Sequence, residues 1–362
     1  MPTRVGILTF LHNDNYGSLL QAWALQEQLR QLGCEVRHLD YAPDNREKIR
    51  NLLRSGNSPT LILDGLQKRK VKQQHLMARA KSESLRSFRE KHLILSSPCA
   101  NGEALKKAAA DCDVLIAGSD QIWSPEWLNE RYFLTFASER QHRLAYAASL
   151  GIERCPQGRK RKLMADWLQG YDAISVREKA GAEIIRQLTG SEPEVLPDPV
   201  ILQRRQDWLA LSGAAPVREP YLLAYFIGNQ PIYWSEARKM AARHHLRLQV
   251  IPVQSMAWQE GGVDCLTDLS PEAWLGAFAH AERVITDSFH GVAFSCLLER
   301  PFTALRRYEE GSAGSKNSRI QQLLSDLKLP WEGAEMNAKA CQRLEELRLQ
   351  GQRWLRNQLC RL

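Results

Sequence analysis

The sequence predicts an α/β protein made of two tandem units, each a parallel sheet layered with helices. Three observations carry this. From Val5 onward, short apolar runs of strand length alternate with longer runs of helical period. The 362 residues exceed what one core comfortably fills, so two domains of roughly 150 to 200 residues are expected. A turn-rich break, Pro197-Asp198-Pro199 and then Ser212 to Pro216, separates two stretches of the alternation.

In the first stretch, Val5 to Phe10 reads as a buried strand. Tyr16 to Leu32 sets Leu19, Leu20, Trp23, Leu25 and Leu29 at helical spacing and stops at Gly33, a residue that readily takes the left-handed turn closing a helix. Val36 to Tyr41 reads as the next strand, and a strand–helix–strand sequence implies parallel pairing through a right-handed crossover. After an insertion at about 44–110, strands are expected at Asp113 to Ala117, His142 to Ala148, Ala173 to Val176 and Glu194 to Leu196, with a helix at Glu178 to Leu188.

Beyond the break the pattern restarts, with strands at Tyr221 to Ile227, Leu246 to Ile251, Arg283 to Thr286 and Pro301 to Leu305. Helices are expected near 232–244, 271–281 and 290–299, the second announced by Ser270 as N-cap and Pro271 at the first helical position. Helices near 317–328 and 336–359 close the chain. The expected domains are 1–212 and 213–362, alike in architecture and without an internal sequence repeat.

Composition narrows the function classes. Hydrophobic residues make up 44% and charged residues 25%, and there is no uninterrupted apolar run long enough to cross a bilayer, for which about 18 residues are needed. The opening MPTRVGILTF enters a strand pattern with no secretory signal, so a cytoplasmic location is expected. The eight cysteines (34, 99, 112, 155, 265, 296, 341, 360) are scattered and lack a C-x-x-C spacing, which argues against a zinc site or a disulfide framework. His244 and His245 are adjacent and diverge on a helix, so no metal is expected.

The net charge of +8 is concentrated in one segment: between Arg46 and Lys91 thirteen Lys or Arg face four Asp or Glu, a local +9 that leaves about −1 for the remainder. Apolar residues interleave with these cations, so basic, partly amphipathic helices are expected. Such a segment is either a solvated face or a contact for an anionic lipid surface or a polyanionic substrate. No aromatic platform or recognition motif accompanies it, so nucleic acid is not the expected partner.

In open parallel sheets, ligands bind beyond the carboxyl ends of the strands, and four polar loops fall there: His12 to Ser18, Gly118 to Pro125, Arg177-Glu178-Lys179 and Asp287 to Gly291. Helix N-termini present unpaired N–H donors and partial positive charge, so they suit anions. Structural explanations stand beside the functional ones. Asp14, Asn15 and Ser18 also suit helix capping, Trp123 also suits domain packing, Arg177 a surface salt bridge to Glu178 or its neighbours, and His290 a satisfied buried imidazole.

As a set and in this order, the loops resemble a known family. The runs NYGSLLQAWAL from Asn15, DVLIAGSDQIW from Asp113, YAAS from Tyr146, ISVREK from Ile174, LPDP from Leu196 and TDSFHGVAFS from Thr286 are similar to those of the polysaccharide pyruvyl transferases, over residues 4–325. Ser124 stands where the family pattern has Asn, and Leu150 where it has Phe. The resemblance implies two Rossmann-like domains facing a cleft, a GT-B-like fold. The implied reaction moves a pyruvyl unit from phosphoenolpyruvate to two hydroxyls of one sugar, forming a cyclic ketal and phosphate with no cofactor.

For such chemistry Arg177 is the expected partner of the donor's carboxylate or phosphate, because a planar guanidinium binds two oxygens at once. Ser288, Phe289, His290 and Gly291 at a helix start, with Lys316 and Arg319, are expected to complete the donor site. His290 is the expected proton donor and acceptor, since transfers both ways near neutral pH favour imidazole. Asp287 is expected either to orient the imidazole or a hydroxyl, or to cap the helix.

Acceptor contacts are expected from Asn15, Tyr16, Gly17, Ser18, Gly118, Ser119, Asp120, Gln121 and Trp123, with Trp123 or Tyr16 stacking on a sugar face. The resemblance also implies a polyprenyl-diphosphate-linked acceptor at the inner membrane face, which the basic 46–91 segment would contact peripherally. A nucleotide-sugar glycosyltransferase of the same architecture and a non-catalytic carbohydrate or phosphate binder are the alternatives.

Overall fold

A computed structural model describes residues 2–55, 76–261, 264–308 and 317–361; within these, the side chains of 76–79 and 255 are left aside. The chain divides into two compact units. The first comprises Met1–Leu76, Arg86–Leu202 and Leu347–Leu362, the second Met77–Leu85 and Gln203–Glu346.

The first unit is built on β1 (Arg4–Leu8), β2 (Glu35–His38), β3 (Val114–Ala117), β4 (His142–Ala148), β5 (Ala173–Val176) and β6 (Glu194–Val195). All neighbours pair in parallel, in the order β2-β1-β3-β4-β5-β6. Parallel strands covered on both faces read as continuous apolar runs, and here successive residues fill opposite layers. Leu8, Leu115 and Ala117 meet Trp123, Phe133 and Ile185 on one face. Val5, Ile7, Val114 and Ile116 meet Leu25, Leu29, Trp354 and Leu355 on the other.

Helix α1 (Tyr16–Gln31) crosses from β1 to β2, as expected, with Asn15 as its N-cap. Between β2 and β3 lie α2 (Asn45–Ser55), α3 (Leu76–His92) and α4 (Gly102–Ala108). The described cations of α2 are partly paired: Arg50 meets Glu47 at 3.9 Å and Arg54 meets Glu130 at 2.8 Å. Much of the basic segment, 56–75, lies outside the described residues. No helix among the described residues is long and apolar enough to cross a membrane. Helices α5 (Gly158–Leu168) and α6 (Lys179–Thr189) flank β5.

Chain exit and re-entry differ from the expected 212/213 boundary. Helix α7 (Arg205–Leu211) already belongs to the second unit, because its buried Trp208 packs edge-on against Phe294 at 4.8 Å. The last helix, expected with the second domain, returns to the first from Leu347 onward. Its Trp354 and Leu355 complete the apolar layer over Val5, Ile7 and Tyr146, with the Tyr146 and Trp354 rings 5.8 Å apart. A local pattern shows that a helix is amphipathic but not which sheet its apolar face covers.

The second unit has a smaller parallel sheet, β8 (Arg247–Val250), β7 (Tyr221–Tyr225), β9 (Arg283–Thr286) and β10 (Phe302–Ala304) in that spatial order. Its helices are α7, α8 (Pro231–Arg243), α9 (Ser255–Gly261), α10 (Pro271–Ala279), α11 (Phe289–Leu297) and α12 (Ser318–Leu327), followed by the start of α13 (Ala338–Leu359). Ser270 caps α10 as its sequence announces, accepting from Ala273 N. In each sheet the order reverses once, between β1 and β3 and between β7 and β9. At such switch points the connecting loops diverge and open a crevice at the carboxyl edge.

Candidate functional site

The loops flanking the β1/β3 switch point form a dense polar network. Asn15 Oδ1 accepts from Gly17 N at 2.9 Å, so it acts as a helix cap. Ser18 Oγ donates to Asp120 Oδ2 at 2.5 Å, and Asp120 Oδ1 accepts from Gln121 N at 2.8 Å. Gln21 joins both loops: its Nε2 donates to Thr9 Oγ1 and to Ser18 O, each at 2.9 Å, while its Oε1 accepts from Ser119 N at 3.1 Å. Gly118 is required by geometry, since φ is +122° and a Cβ there would lie 2.4 Å from Tyr146 O.

Ser119 is fully enclosed, its Oγ donating to Ala147 O at 2.5 Å and accepting from Arg177 Nη2 at 2.8 Å. Arg177 lies at the carboxyl end of β5, paired with Asp198 at 2.7 Å; their side chains are 2% and 0% exposed. This corrects the expectation that the guanidinium is presented to a donor anion, and also that it pairs with a surface neighbour. Glu178 instead turns its buried Oε1 to Ser149 Oγ, Leu150 N and Gly151 N, at 2.9, 3.2 and 3.3 Å.

Two stacking candidates are corrected as well. Trp123 is completely buried, donates Nε1–H to Tyr132 O at 3.0 Å and stacks on Phe133 at 5.3 Å, and Tyr16 is also buried. Both rings belong to the core, and neither is open to a sugar face. Gln121 is half-buried, and its Nε2 has no hydrogen-bond partner among the described residues. Within the His12 to Ser18 loop, His12 and Asn13 are exposed. His12 Nε2 sits 2.6 Å from Asp40 Oδ1, just beyond β2, a pair that reading one loop at a time does not reveal.

The β7/β9 switch point is organised by Asp287. Its carboxylate, 0% exposed, accepts from Ile227 N at 2.6 Å, Gly228 N at 2.7 Å and Arg307 Nε at 3.0 Å. Arg307 Nη2 also donates to the Asp287 carbonyl at 2.9 Å. Asp287 therefore clamps the loop after β7 and the arginine after β10. It does not cap α11, because Ser288 does, its Oγ accepting from Gly291 N at 3.3 Å. Arg307 was missed in the sequence; its position just past the last strand of the sheet is the signal that could have found it.

Thr286 fixes the turn, donating to Tyr225 O at 2.6 Å and accepting from Ser288 N at 3.1 Å. Gly291 lets α11 close on it, since a Cβ there would lie 2.4 Å from Thr286 Oγ1. His290 stands in the first turn of α11, mostly buried, with its ring 5.2 Å from that of Phe289. The Arg319 guanidinium lies over Phe289 at 5.8 Å. Thus Ser288, Phe289, His290, Gly291 and Arg319 gather in one neighbourhood with Asp287 and Arg307; Lys316 lies outside the described residues. Burial, followed by the charge of Asp287, raises the Tyr225 and Tyr233 phenols, so both remain neutral.

Two Rossmann-like units, each with its polar loops at the carboxyl edge of a parallel sheet, define a protein of the GT-B-like class. Among solved structures, a UDP-GlcNAc 2-epimerase from Neisseria meningitidis bound to UDP-GlcNAc is similar, with a TM-score of 0.51 and 10% identity over 100% of each chain. At that identity the likeness bears on the fold alone. The epimerase of Methanocaldococcus jannaschii (TM-score 0.45, 10% identity, 97% of this chain and 99% of that one) is more distant. So is an E. coli heptosyltransferase (0.39, 11%, 89% and 99%). Comparison with curated protein sequences returns no match. Residues 15–307 match the model of the polysaccharide pyruvyl transferase family, and the chain belongs to that family.

Proposed function

We propose that the protein transfers the pyruvyl unit of phosphoenolpyruvate to two hydroxyls of one saccharide, forming a cyclic ketal and releasing phosphate. The observation that carries the donor assignment is the Asp287–Arg307 clamp beside the first turn of α11, where His290 stands. Two guanidinium nitrogens are held by Asp287, and the remaining edge bonds none of the described residues, with the side chain 20% exposed. A guanidinium oriented in this way offers a prepaid geometry to a carboxylate or phosphate. The N–H groups opening α11 add donors for the same anion.

In this reading His290 protonates the methylene carbon of the enol, which makes the central carbon electrophilic. One sugar hydroxyl attacks there, the carbon–oxygen bond to phosphate breaks, and the second hydroxyl closes the ring. Both sugar protons leave: one replaces the proton spent on the new methyl group and the other departs with phosphate. General acid help of this kind is worth about 10²- to 10⁴-fold in rate. Arg177 enters as the support of Ser119.

The acceptor in this proposal is a unit of a polysaccharide or its polyprenyl-diphosphate-linked precursor, with the basic 46–91 segment meeting the lipid or its diphosphate. Incubation with phosphoenolpyruvate or with a panel of nucleotide sugars, following phosphate and nucleotide release, tests the function. Phosphate release dependent on a saccharide is expected; nucleotide release without it assigns a glycosyltransferase instead. Ligand binding with neither assigns a non-catalytic binder.

A further inference from the structure

Helix α2 is turned opposite to an ordinary surface helix, which buries its apolar residues and shows its polar ones. The residues it buries are Glu47, Asn51 and Ser55, which at a spacing of four share one face. Ile49 and Leu53 are 53% and 69% exposed. At about 100° per residue they lie opposite the buried row, on successive turns. Arg46 and Arg50 flank this ridge on one side and Lys48 on the other, all three exposed.

Polar contacts within the first unit fix this orientation. Glu47 Oε1 accepts from Arg131 Nε at 2.7 Å, both side chains being almost enclosed, and Asn51 Nδ2 donates to Tyr41 Oη at 3.2 Å. Asp44 Oδ1 accepts from Glu47 N at 2.8 Å where the helix begins, and Arg54 Nη1 donates to Glu130 Oε1 at 2.8 Å near its end. From α5, Arg159 Nη2 donates to Leu53 O at 3.3 Å. Turning Ile49 and Leu53 inward would leave Arg131 buried without its carboxylate, so the ridge is held outward.

Singly exposed apolar residues are ordinary, but a ridge of two bracketed by cations is a surface of mixed character. The one acid within α2, Glu47, is buried, so the outer face carries positive charge alone. The side chains of Arg46 and Lys48 pair with no acid among the described residues. A second copy of the same face would set like charges against each other. An anionic bilayer instead offers an acyl boundary for the ridge and phosphates for the flanking cations, whose long stems keep their charged ends at the headgroups.

We infer that α2 is a membrane-docking element: Ile49 and Leu53 enter the boundary between headgroups and acyl chains of an anionic bilayer, while Arg46, Lys48 and Arg50 lie among its phosphates. This adds insertion of an apolar ridge to the charge contact proposed for the basic segment. It rests on that part of the proposed reading, which brings the chain to a lipid, and is independent of the pyruvyl chemistry.

The test uses the full chain and vesicles of phosphatidylcholine, alone or in equal parts with phosphatidylglycerol, with bound protein read by co-sedimentation. Wild type binds the anionic vesicles and leaves the zwitterionic ones. Ile49→Ser with Leu53→Ser lowers the partition coefficient by about tenfold or more, while its urea midpoint stays that of wild type because both positions are already exposed. Arg46→Gln with Lys48→Gln lowers it by about thirtyfold and flattens its dependence on salt. Leu53→Glu, at the more exposed of the two ridge positions, carries the same expectation and keeps the test open should the serine pair misfold. Binding by the folded ridge variants within about threefold of wild type, well short of the apolar contribution, overturns the inference alone and leaves charge contact by the basic segment standing. So does a concentration-dependent dimer in gel filtration that the ridge variants abolish, since a second copy then covers the ridge. Wild type that shows no preference for the anionic vesicles overturns the inference together with the lipid-contact reading, whereas ketal formation on soluble saccharides decides the pyruvyl reading separately.

Discussion

Replacing Arg177 by Met removes the cation from an enclosed ion pair and leaves its partner stranded. The Asp198 carboxylate is 0% exposed and 2.7 Å from Arg177 Nη2, and breaking a buried pair by deleting one member costs about 3 to 5 kcal/mol. Ser119 Oγ also loses the donor at 2.8 Å but keeps its own bond to Ala147 O, so little is added. A loss near 4 kcal/mol is expected, a large share of the roughly 5 to 15 kcal/mol that stabilises a typical fold. Changing both partners, Arg177→Met with Asp198→Leu, removes the stranded charge and should recover most of the loss. Urea unfolding gives the stabilities, and hydrogen exchange of the peptides spanning 113–120 and 173–198 locates them in the first unit. If Arg177→Met stays within about 0.5 kcal/mol of wild type, the ordinary range for surface changes, and only raises donor KM, then Arg177 is a donor ligand and the structural reasoning is wrong.

Three further outcomes follow from the same kind of argument. Asp287→Asn replaces an acceptor of three hydrogen bonds by a group that must turn a donor toward one of them, so stability should fall by about 2 to 3 kcal/mol and Arg307-dependent donor affinity with it; unchanged calorimetric binding of phosphoenolpyruvate would contradict the clamp. Burial lowers the His38 imidazole from its ordinary 6.5 to about 4, against weaker raising effects of the Ala22 backbone and Asp40. The unfolded chain therefore binds this proton more readily, and stability is fully present above pH 6.5 and lost as pH falls toward 4, by roughly 3 kcal/mol at 1.36 kcal/mol per pH unit. His38→Leu should flatten that slope in urea titrations. Burial pushes the Cys112 thiol up to about 11, so iodoacetamide at pH 8 should label exposed Cys360 well before Cys112; equal labelling by peptide mass spectrometry would contradict its burial.

Much of the architecture is legible in the residue pattern because its signals are local. The run from Val5 through α1 to β2 carries its own strand length, helical period and terminal glycine, and Ser270-Pro271 marks the start of α10 unaided. The polar loops at the strand ends are legible for the same reason. Partnerships over distance are not. Asp198 sits in a Pro-Asp-Pro run that reads as a boundary turn, yet its carboxylate holds Arg177, a pairing fixed by where the chain goes after β6. Asp287 reads as an orienting group or a helix cap, but β9 and β10 lie side by side and bring Arg307 to it. Trp123 reads equally as a stacking ring or a packing one, and the packed structure decides for packing by committing its indole to Tyr132 and Phe133. The His12–Asp40 pair needs β1 and β2 in parallel register before it can be seen.

Transfer of a pyruvyl unit is read out by mass spectrometry of saccharide acceptors after incubation with phosphoenolpyruvate, with wild type beside His290→Ala. The expected result is an acceptor heavier by one pyruvate less one water, one phosphate released per acceptor modified, and neither with His290→Ala. Unmodified acceptors with wild type, or an equal yield from His290→Ala, would contradict it.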